Sequence, residues 1–234
     1  MIDKRHLVIL QLILDSKIPV GATYLCKESG ISQATVGRIL FDLEQQGYLT
    51  KAGNKGRLLT DSGRDYIALQ KQFLDKLDTA QDIIDIVGTP SRTKLLEILE
   101  TRIGLESVAV TLACKNITEQ NIAELNSILA AHSVELRSGG LGSEYDLKLH
   151  LKIAEIAGNH VLMQVLKLIL TQDNAYTNFS IVAPHITDTQ IHQHTKIVEM
   201  LHKRDAEGAK AAMVEHLQQV MYDVRCYYDT HEKN

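Results

Sequence analysis

Two residue pairs in the second half of the chain have the side chains and the spacing of metal ligands. Asp146 and His150 stand four residues apart in "SEYDLKLHLKIAEIAGNH", whose helical periodicity puts both on one face. His194 and His216 lie 22 residues apart in "HTKIVEMLHKRDAEGAKAAMVEHL", whose apolar stripes predict two helices packed antiparallel. His194 and His216 could therefore both reach into the bundle. Taken alone, an Asp and a His on one face also make an ordinary helix surface pair.

The elements that must position these residues are predicted to be almost all helices. The chain has three prolines and long stretches of 3.6-residue apolar spacing. Residues 61–87 read as one connecting helix, and 88–234 as an all-α bundle of six to seven helices. We place six of them at about 91–114, 118–132, 143–157, 159–172, 188–203 and 205–229. The predicted fold class is mainly α.

The first 60 residues predict a winged helix-turn-helix. Three helices are followed by "YLTKAGNKGRLLT", in which two short β-prone runs flank a turn. In such a motif the second helix lies in the major groove and the wing meets phosphate or the minor groove. The side chains that we expect at DNA are Ser32, Gln33, Thr35 and Arg38 of that helix and Lys55 and Arg57 of the wing. A domain that mediates only protein contacts is the alternative.

Composition favours a globular, cytoplasmic protein without a membrane span. The 234 residues are 44% hydrophobic, and the N-terminal apolar run from Leu7 to Leu14 is too short for a membrane helix. The three cysteines are far apart and predict free thiols. The net charge of -4 is uneven, because residues 1–70 carry nine Lys and Arg against seven Asp and Glu. A polyanionic partner would therefore meet the N-terminal part.

The N-terminal segment resembles a winged-helix type of archaeal nitrogen regulators and of a bacterial exoribonuclease family. The matching stretches are "PVGA", "SQATV", "LEQQGYL", "GNKGRLLT" and "DSG". A ribonuclease is disfavoured because no cluster of catalytic carboxylates follows on a nuclease-like domain. The resemblance therefore implies a transcription regulator.

Residues 91–230 resemble the effector domain of the FCD group of GntR-type regulators. The segment "ETRIGLESVAVTLA" follows that group's E-x-R-x-x-L-E pattern, and "AKAAMVEHL" follows its A-x-x-A-M-x-x-H-L helix. Asn159 falls where the group has an asparagine. The head departs from GntR proteins, since "SQATVGR" replaces their S-R-x-P-V-R turn, so the DNA-binding domain looks exchanged. The metal ligands that the resemblance implies are Asp146, His150, His194 and His216.

Three imidazoles and one carboxylate suit a divalent metal, with zinc or nickel as the leading candidates. Four protein ligands in an octahedral site would leave two positions for water or for the carboxylate of a small organic acid. Arg102 and Asn159 are the expected effector-binding residues. The resemblance thus implies a homodimeric, metal-containing regulator that binds a double-stranded DNA operator and senses a small carboxylate effector. We predict no enzymatic activity.

Three alternatives stay open at the level of sequence. The metal could be purely structural, the protein could be a direct sensor of the metal, or the site could be that of a metal-dependent hydrolase. Among the other histidines, His192 and His202 point away from the proposed site. We expect surface positions for His6, His132, His185 and His231.

Overall fold

The computed structural model describes residues 4–88, 91–171 and 187–231. They form two compact units, one up to Ala80 and one from Gln81 onwards. The boundary between the units falls inside a single helix. The domain limits at residues 60 and 87 stay a prediction.

The N-terminal unit is a winged helix-turn-helix. Its elements are α1 (Lys4–Ser16), α2 (Ala22–Ser29), α3 (Gln33–Gln45), β1 (Leu49–Lys51), a 3-10 turn (Gly53–Lys55) and β2 (Arg57–Leu59). The two strands pair antiparallel, with Leu49 opposite Leu59. The core is built from apolar side chains at helical spacing, among them Ile9, Leu10 and Ile13 of α1. The predicted hairpin and helices of this module are confirmed.

The wing is held against the rest of the unit through Gly56. Its φ of +123° lies in a region that L side chains avoid, and a Cβ there would collide with the carbonyl of Val20. This close approach lets Arg57 and Val20 exchange two backbone hydrogen bonds, at 3.1 and 2.9 Å. The base of the wing therefore has a fixed position on the helical part.

Helix α4 spans Asp61–Gly88 and is 28 residues long. In its middle part, Leu69, Phe73 and Leu77 are spaced by four residues and are about half exposed. Residues at this spacing share one face of a helix, so α4 presents a stripe of apolar side chains to solvent.

The C-terminal unit is an all-α bundle. Its helices are α5 (Arg92–Asn116), α6 (Glu119–Arg137), α7 (Ser143–Ile156), α8 (His160–Leu170), α9 (Thr187–His202) and α10 (Ala206–His231). Their starts follow the local sequence: Ser91 Oγ accepts the N–H of Lys94 to cap α5, and Thr118 with Asn121 forms a capping box on α6. The predicted fold class is confirmed, although α6 continues to Arg137 rather than ending at 132.

The packing of the bundle surrounds one interior region. Helix α10 lies along α5, α9 packs on α10 and α6, and α7 packs on α5 and α6. The turn between α9 and α10 is fastened by Arg204, whose guanidinium donates to the carbonyls of Cys114, Lys115 and Ile117 at the end of α5. Side chains from these five helices can therefore meet inside the unit.

Within residues 4–88, 91–171 and 187–231, no helix combines the length and the apolar character needed to cross a membrane.

Candidate functional site

The four predicted ligands converge inside the C-terminal unit. Asp146 and His150 come from α7, His194 from α9 and His216 from α10, and one ligand atom of each lies within 4.8 Å of all the others. His194 Nε2 is 3.1 Å from Asp146 Oδ1 and 3.2 Å from His216 Nε2. The Nε2 atom of His150 is 3.7 Å from the same carboxylate oxygen. The three rings are at most 2% exposed.

The charges of these groups match a cation site. Burial raises the pKa of Asp146, but the facing histidines and the hydrogen bond from His194 outweigh it and hold that pKa well below its ordinary value. Burial lowers the pKa of His194, and lowers that of His216 much further, so both rings favour the neutral form. A carboxylate among neutral imidazoles is the donor set of a divalent transition metal.

A buried polar atom supports the same fit. His150 Nε2 faces the cluster, is inaccessible to solvent and has no hydrogen-bond partner within the described part of the chain. A buried imidazole nitrogen without a partner costs stability unless something binds it. The residues present therefore fit a metal ion.

The outer side of the His150 ring faces a buried ion pair, Arg102 with Glu106, whose residues belong to the E-x-R-x-x-L-E stretch. Glu106 of α5 contacts His150 Nδ1 through Oε2, and its Oε1 accepts from Arg102 Nε at 2.7 Å. Burial opposes ionisation of Glu106, but the charge of Arg102 and the hydrogen bonds from His150 and Arg102 outweigh it and lower its pKa to about 2. Glu106 is thus an anion that anchors both neighbours.

Of the two predicted effector-binding residues, only Arg102 lies beside the histidines. It is 3% exposed and reaches the site region through Glu106. Asn159 is exposed instead, and its Oδ1 caps α8 by accepting the N–H of Leu162 at 3.1 Å. The structure does not bring Asn159 into the cluster, and an effector-binding role for it stays a prediction without geometric support.

The expectation for His132 is wrong, because this residue is buried. It lies on the apolar face of α6, in the series Leu125, Leu129, His132 and Leu136, and is 1% exposed. Its ring lies 5.4 Å from that of His194, centroid to centroid. Neither ring nitrogen has a hydrogen-bond partner among the described residues, and burial, aided by His194, lowers its pKa to about 4. The sequence signal for its burial was the i, i+4, i+7 spacing that His132 shares with Leu125 and Leu129.

The other histidines that the structure describes do not join the site. His192, His202 and His231 are exposed, and His6 is half-buried in the N-terminal unit. His185 lies outside the described residues.

The predicted DNA-contacting side chains lie on α3 and the wing. Ser32, Gln33 and Arg38 are exposed and Thr35 is half-buried, because Val36, Ile39, Leu40 and Leu43 take the buried face of α3. The Ser32 and Thr35 hydroxyls are 2.9 Å apart at the start of the helix. On the wing, Lys55 is exposed, whereas Arg57 Nε donates to Glu44 Oε2 at 3.2 Å. Contact with DNA by these six residues stays a prediction.

A winged helix-turn-helix joined to a helical bundle with a buried polar centre defines the class of one-chain transcription regulators. Comparison with known families agrees for both units. The FCD domain family model matches residues 97–219, which is more than half of the chain, and the IclR helix-turn-helix domain model matches residues 4–53. The protein belongs to the FCD family, and its DNA-binding head is of the IclR type rather than the GntR type.

Curated relatives are themselves regulators. The Exu regulon transcriptional regulator of Escherichia coli strain K12 is 24% identical over 210 residues, which cover 88% of this chain and 75% of that protein. The HTH-type transcriptional repressor NanR of Salmonella arizonae is 28% identical over 130 residues, which cover 52% of this chain and 47% of that protein. The protein is accordingly a DNA-binding transcription regulator of the GntR/FCD type.

Solved structures share the fold at low identity. Escherichia coli McbR/YncC superposes with a TM-score of 0.54 at 18% identity, covering 96% of this chain and 94% of that one. Lar, which controls expression of the agr system in Listeria monocytogenes, gives a TM-score of 0.53 at 14% identity, with coverage of 97% and 98%. The architecture of head and bundle is therefore shared with these proteins.

Proposed function

We propose that this protein is a cytoplasmic, homodimeric regulator that holds a divalent metal at Asp146, His150, His194 and His216 and senses a small organic acid there. The observation that carries the proposal is the convergence of these four ligand atoms within 4.8 Å in a buried interior. Zinc and nickel are the leading candidates for the metal, since both accept imidazole and carboxylate ligands.

The effector is expected to be a small carboxylate. When bound, the metal would supply a Lewis-acidic partner for the carboxylate group. The Arg102 guanidinium would supply a cation, and its orientation is fixed by donation from Nε to Glu106 Oε1 at 2.7 Å. An acid that interacts differently with two arrangements of the bundle would change the fraction of protein competent to bind DNA.

Homodimerisation has two supports. Two heads related by a two-fold axis can read a palindromic operator in double-stranded DNA. The exposed stripe of Leu69, Phe73 and Leu77 on α4 offers apolar surface that a second copy would cover.

The test combines metal analysis with DNA binding. Elemental analysis and native mass spectrometry of the purified protein should find about one metal per chain, together with any small molecule that stays bound. His194→Ala and His216→Ala should lose the metal, whereas His160→Ala, which alters an exposed histidine of the same unit, should keep it. Unchanged metal content in the first two variants would refute the site.

A second arm separates effector sensing from direct metal sensing. DNA affinity of the metal-loaded protein would be measured against a panel of small mono- and dicarboxylic acids, including hydroxy and keto acids. The proposal expects at least one acid to change operator affinity in the wild type and to have no effect in His216→Ala. DNA affinity that follows zinc concentration and ignores every acid would identify a metal sensor instead.

A further inference from the structure

Two of the three site histidines have their outer ring nitrogen held by a protein side chain. His150 Nδ1 contacts Glu106 Oε2, and His216 Nδ1 lies 3.2 Å from Gln193 Oε1. A neutral imidazole carries its proton on one nitrogen only, and the partner of either nitrogen decides which one. Glu106 and Gln193 therefore bear on which nitrogen of each ring has a lone pair.

Glu106 can only accept a hydrogen bond from His150. Its other oxygen receives Arg102 Nε at 2.7 Å, and this buried ion pair keeps the carboxyl group ionised. The proton of His150 must consequently sit on Nδ1. The lone pair is then on Nε2, the atom that faces Asp146 at 3.7 Å.

Gln193 plays the corresponding part for His216. It is 8% exposed and lies on α9, and its amide oxygen accepts from Nδ1. The proton of His216 is thereby placed on Nδ1 and the lone pair on Nε2, which points to the cluster and lies 3.2 Å from His194 Nε2.

The third ring is different. His194 Nδ1 is buried and has no hydrogen-bond partner in the parts of the chain that the structure describes. Its Nε2 instead lies 3.1 Å from Asp146 Oδ1 and 3.2 Å from His216 Nε2, both inside the cluster. Side chains outside the cluster therefore set the tautomers of His150 and His216, whereas the tautomer of His194 depends on the groups inside the cluster.

We propose that Glu106 and Gln193 are positioning residues that fix the Nδ1–H tautomers of His150 and His216, so that both rings present Nε2 to the metal. The inference rests on the metal site proposed above. Partners of this kind orient the ligand ring and raise its basicity, and their loss costs about 10-fold to 100-fold in metal affinity.

The tautomers can be read without metal. Long-range proton–nitrogen correlation spectra of metal-stripped, nitrogen-15-labelled protein at neutral pH distinguish Nδ1–H from Nε2–H rings. Resonances are assigned from those that vanish in His150→Ala and His216→Ala. The expected result is Nδ1–H for both rings. An Nε2–H form as the main species of either ring would overturn the proposal.

Zinc affinity, measured by competition with a chromophoric chelator, gives the second readout. Glu106→Gln leaves one amide oxygen for two donors, and Gln193→Ala removes the acceptor of His216, so each should weaken zinc binding about 10-fold to 100-fold. Gln193→Glu restores an acceptor and should keep wild-type affinity, which a merely structural role would not predict. The matched control Glu124→Gln removes a carboxylate that pairs with Lys152 on the bundle surface, and should bind zinc as the wild type does.

The outcomes separate the two proposals. A wild type that binds no zinc would overturn the metal function, and with it the predicted affinity losses. Normal zinc affinity in both Glu106→Gln and Gln193→Ala would overturn the positioning role alone. Circular dichroism of each metal-free variant reports folding, and Gln193→Ala leaves the Arg102 ion pair intact, so the test does not depend on Glu106→Gln being folded.

Discussion

Replacing His132 with leucine should stabilise the C-terminal unit of the metal-free protein. The imidazole is 1% exposed, and neither of its nitrogens has a hydrogen-bond partner within the described ranges. A buried polar group left unsatisfied costs about 1 to 3 kcal/mol, and leucine has a similar volume without that cost. At pH 7.5 the variant should therefore gain about 1 to 3 kcal/mol in free energy of unfolding.

The gain should grow in acid. Burial lowers the pKa of His132 from 6.5 to about 4, so between these values the unfolded chain binds a proton that the folded chain does not. The stability that depends on a neutral His132 is complete above pH 6.5 and is lost as pH falls towards 4. A pKa difference of about 2.5 units corresponds to about 3 kcal/mol. At pH 4 the stability of His132→Leu relative to the wild type should therefore be greater by about this amount than at pH 7.5.

Hydrogen exchange of the slowest amides of α6, corrected for intrinsic rates at each pH, would measure this free energy for the C-terminal unit alone. His160→Leu is the control, because His160 is an exposed histidine of the same unit. Parallel pH profiles of wild type and His132→Leu, or a loss of stability in the variant at pH 7.5, would refute the reasoning.

Three further predictions concern the loop, the metal and DNA. In thermal denaturation, Gly142→Ala should destabilise the protein more than Gly139→Ala. Both glycines have a positive φ, in which an alanine costs about 1 to 2 kcal/mol of stability. Of the two, only Gly142 would bring its Cβ against a side chain, at 2.5 Å from the His132 imidazole. Zinc at about 100 times its Kd should raise the free energy of unfolding by about 2.7 kcal/mol, and calorimetry should show no such gain in His216→Ala. In DNA-binding titrations, Arg38→Ala should weaken binding to the specific operator by about 1 to 3 kcal/mol. Lys55→Ala should weaken binding to all sequences alike and reduce the dependence of log affinity on log salt concentration by about 1. Equal effects on specific and random DNA in both variants would contradict the assigned contacts.

The bundle was predictable from local periodicity, and the four convergent side chains from periodicity together with the family resemblance. The spacing of Asp146 and His150 alone places them on one helix face. The apolar stripes around His194 and His216 predict the pairing of α9 with α10, and the Nε2 atoms of these two histidines lie 3.2 Å apart. The family resemblance then grouped the two pairs. The wing was readable from turn residues between β-prone runs.

The side chains that contact the Nδ1 atoms of His150 and His216 were not predictable in the same way. Glu106 and Gln193 are polar residues whose roles depend on which helix packs behind which ring, and spacing along one helix carries no such information. His132 was expected at the surface, and the predicted helix of about 118–132 ended at this residue. The helix continues for another turn to Arg137, and Leu136 extends the apolar face on which His132 lies.

The position of Gln193 next to His194 places two parts of the proposed metal site on one helix. Gln193 holds the ring of His216, which belongs to α10, while its neighbour His194 is itself a proposed ligand. Any rotation or sliding of α9 would displace the Nε2 of His194 and, at the same time, release the Nδ1 of His216. A metal held at the proposed site would then lose one ligand and the positioning partner of a second at the same time, so that a small movement of one helix would weaken metal binding at two points.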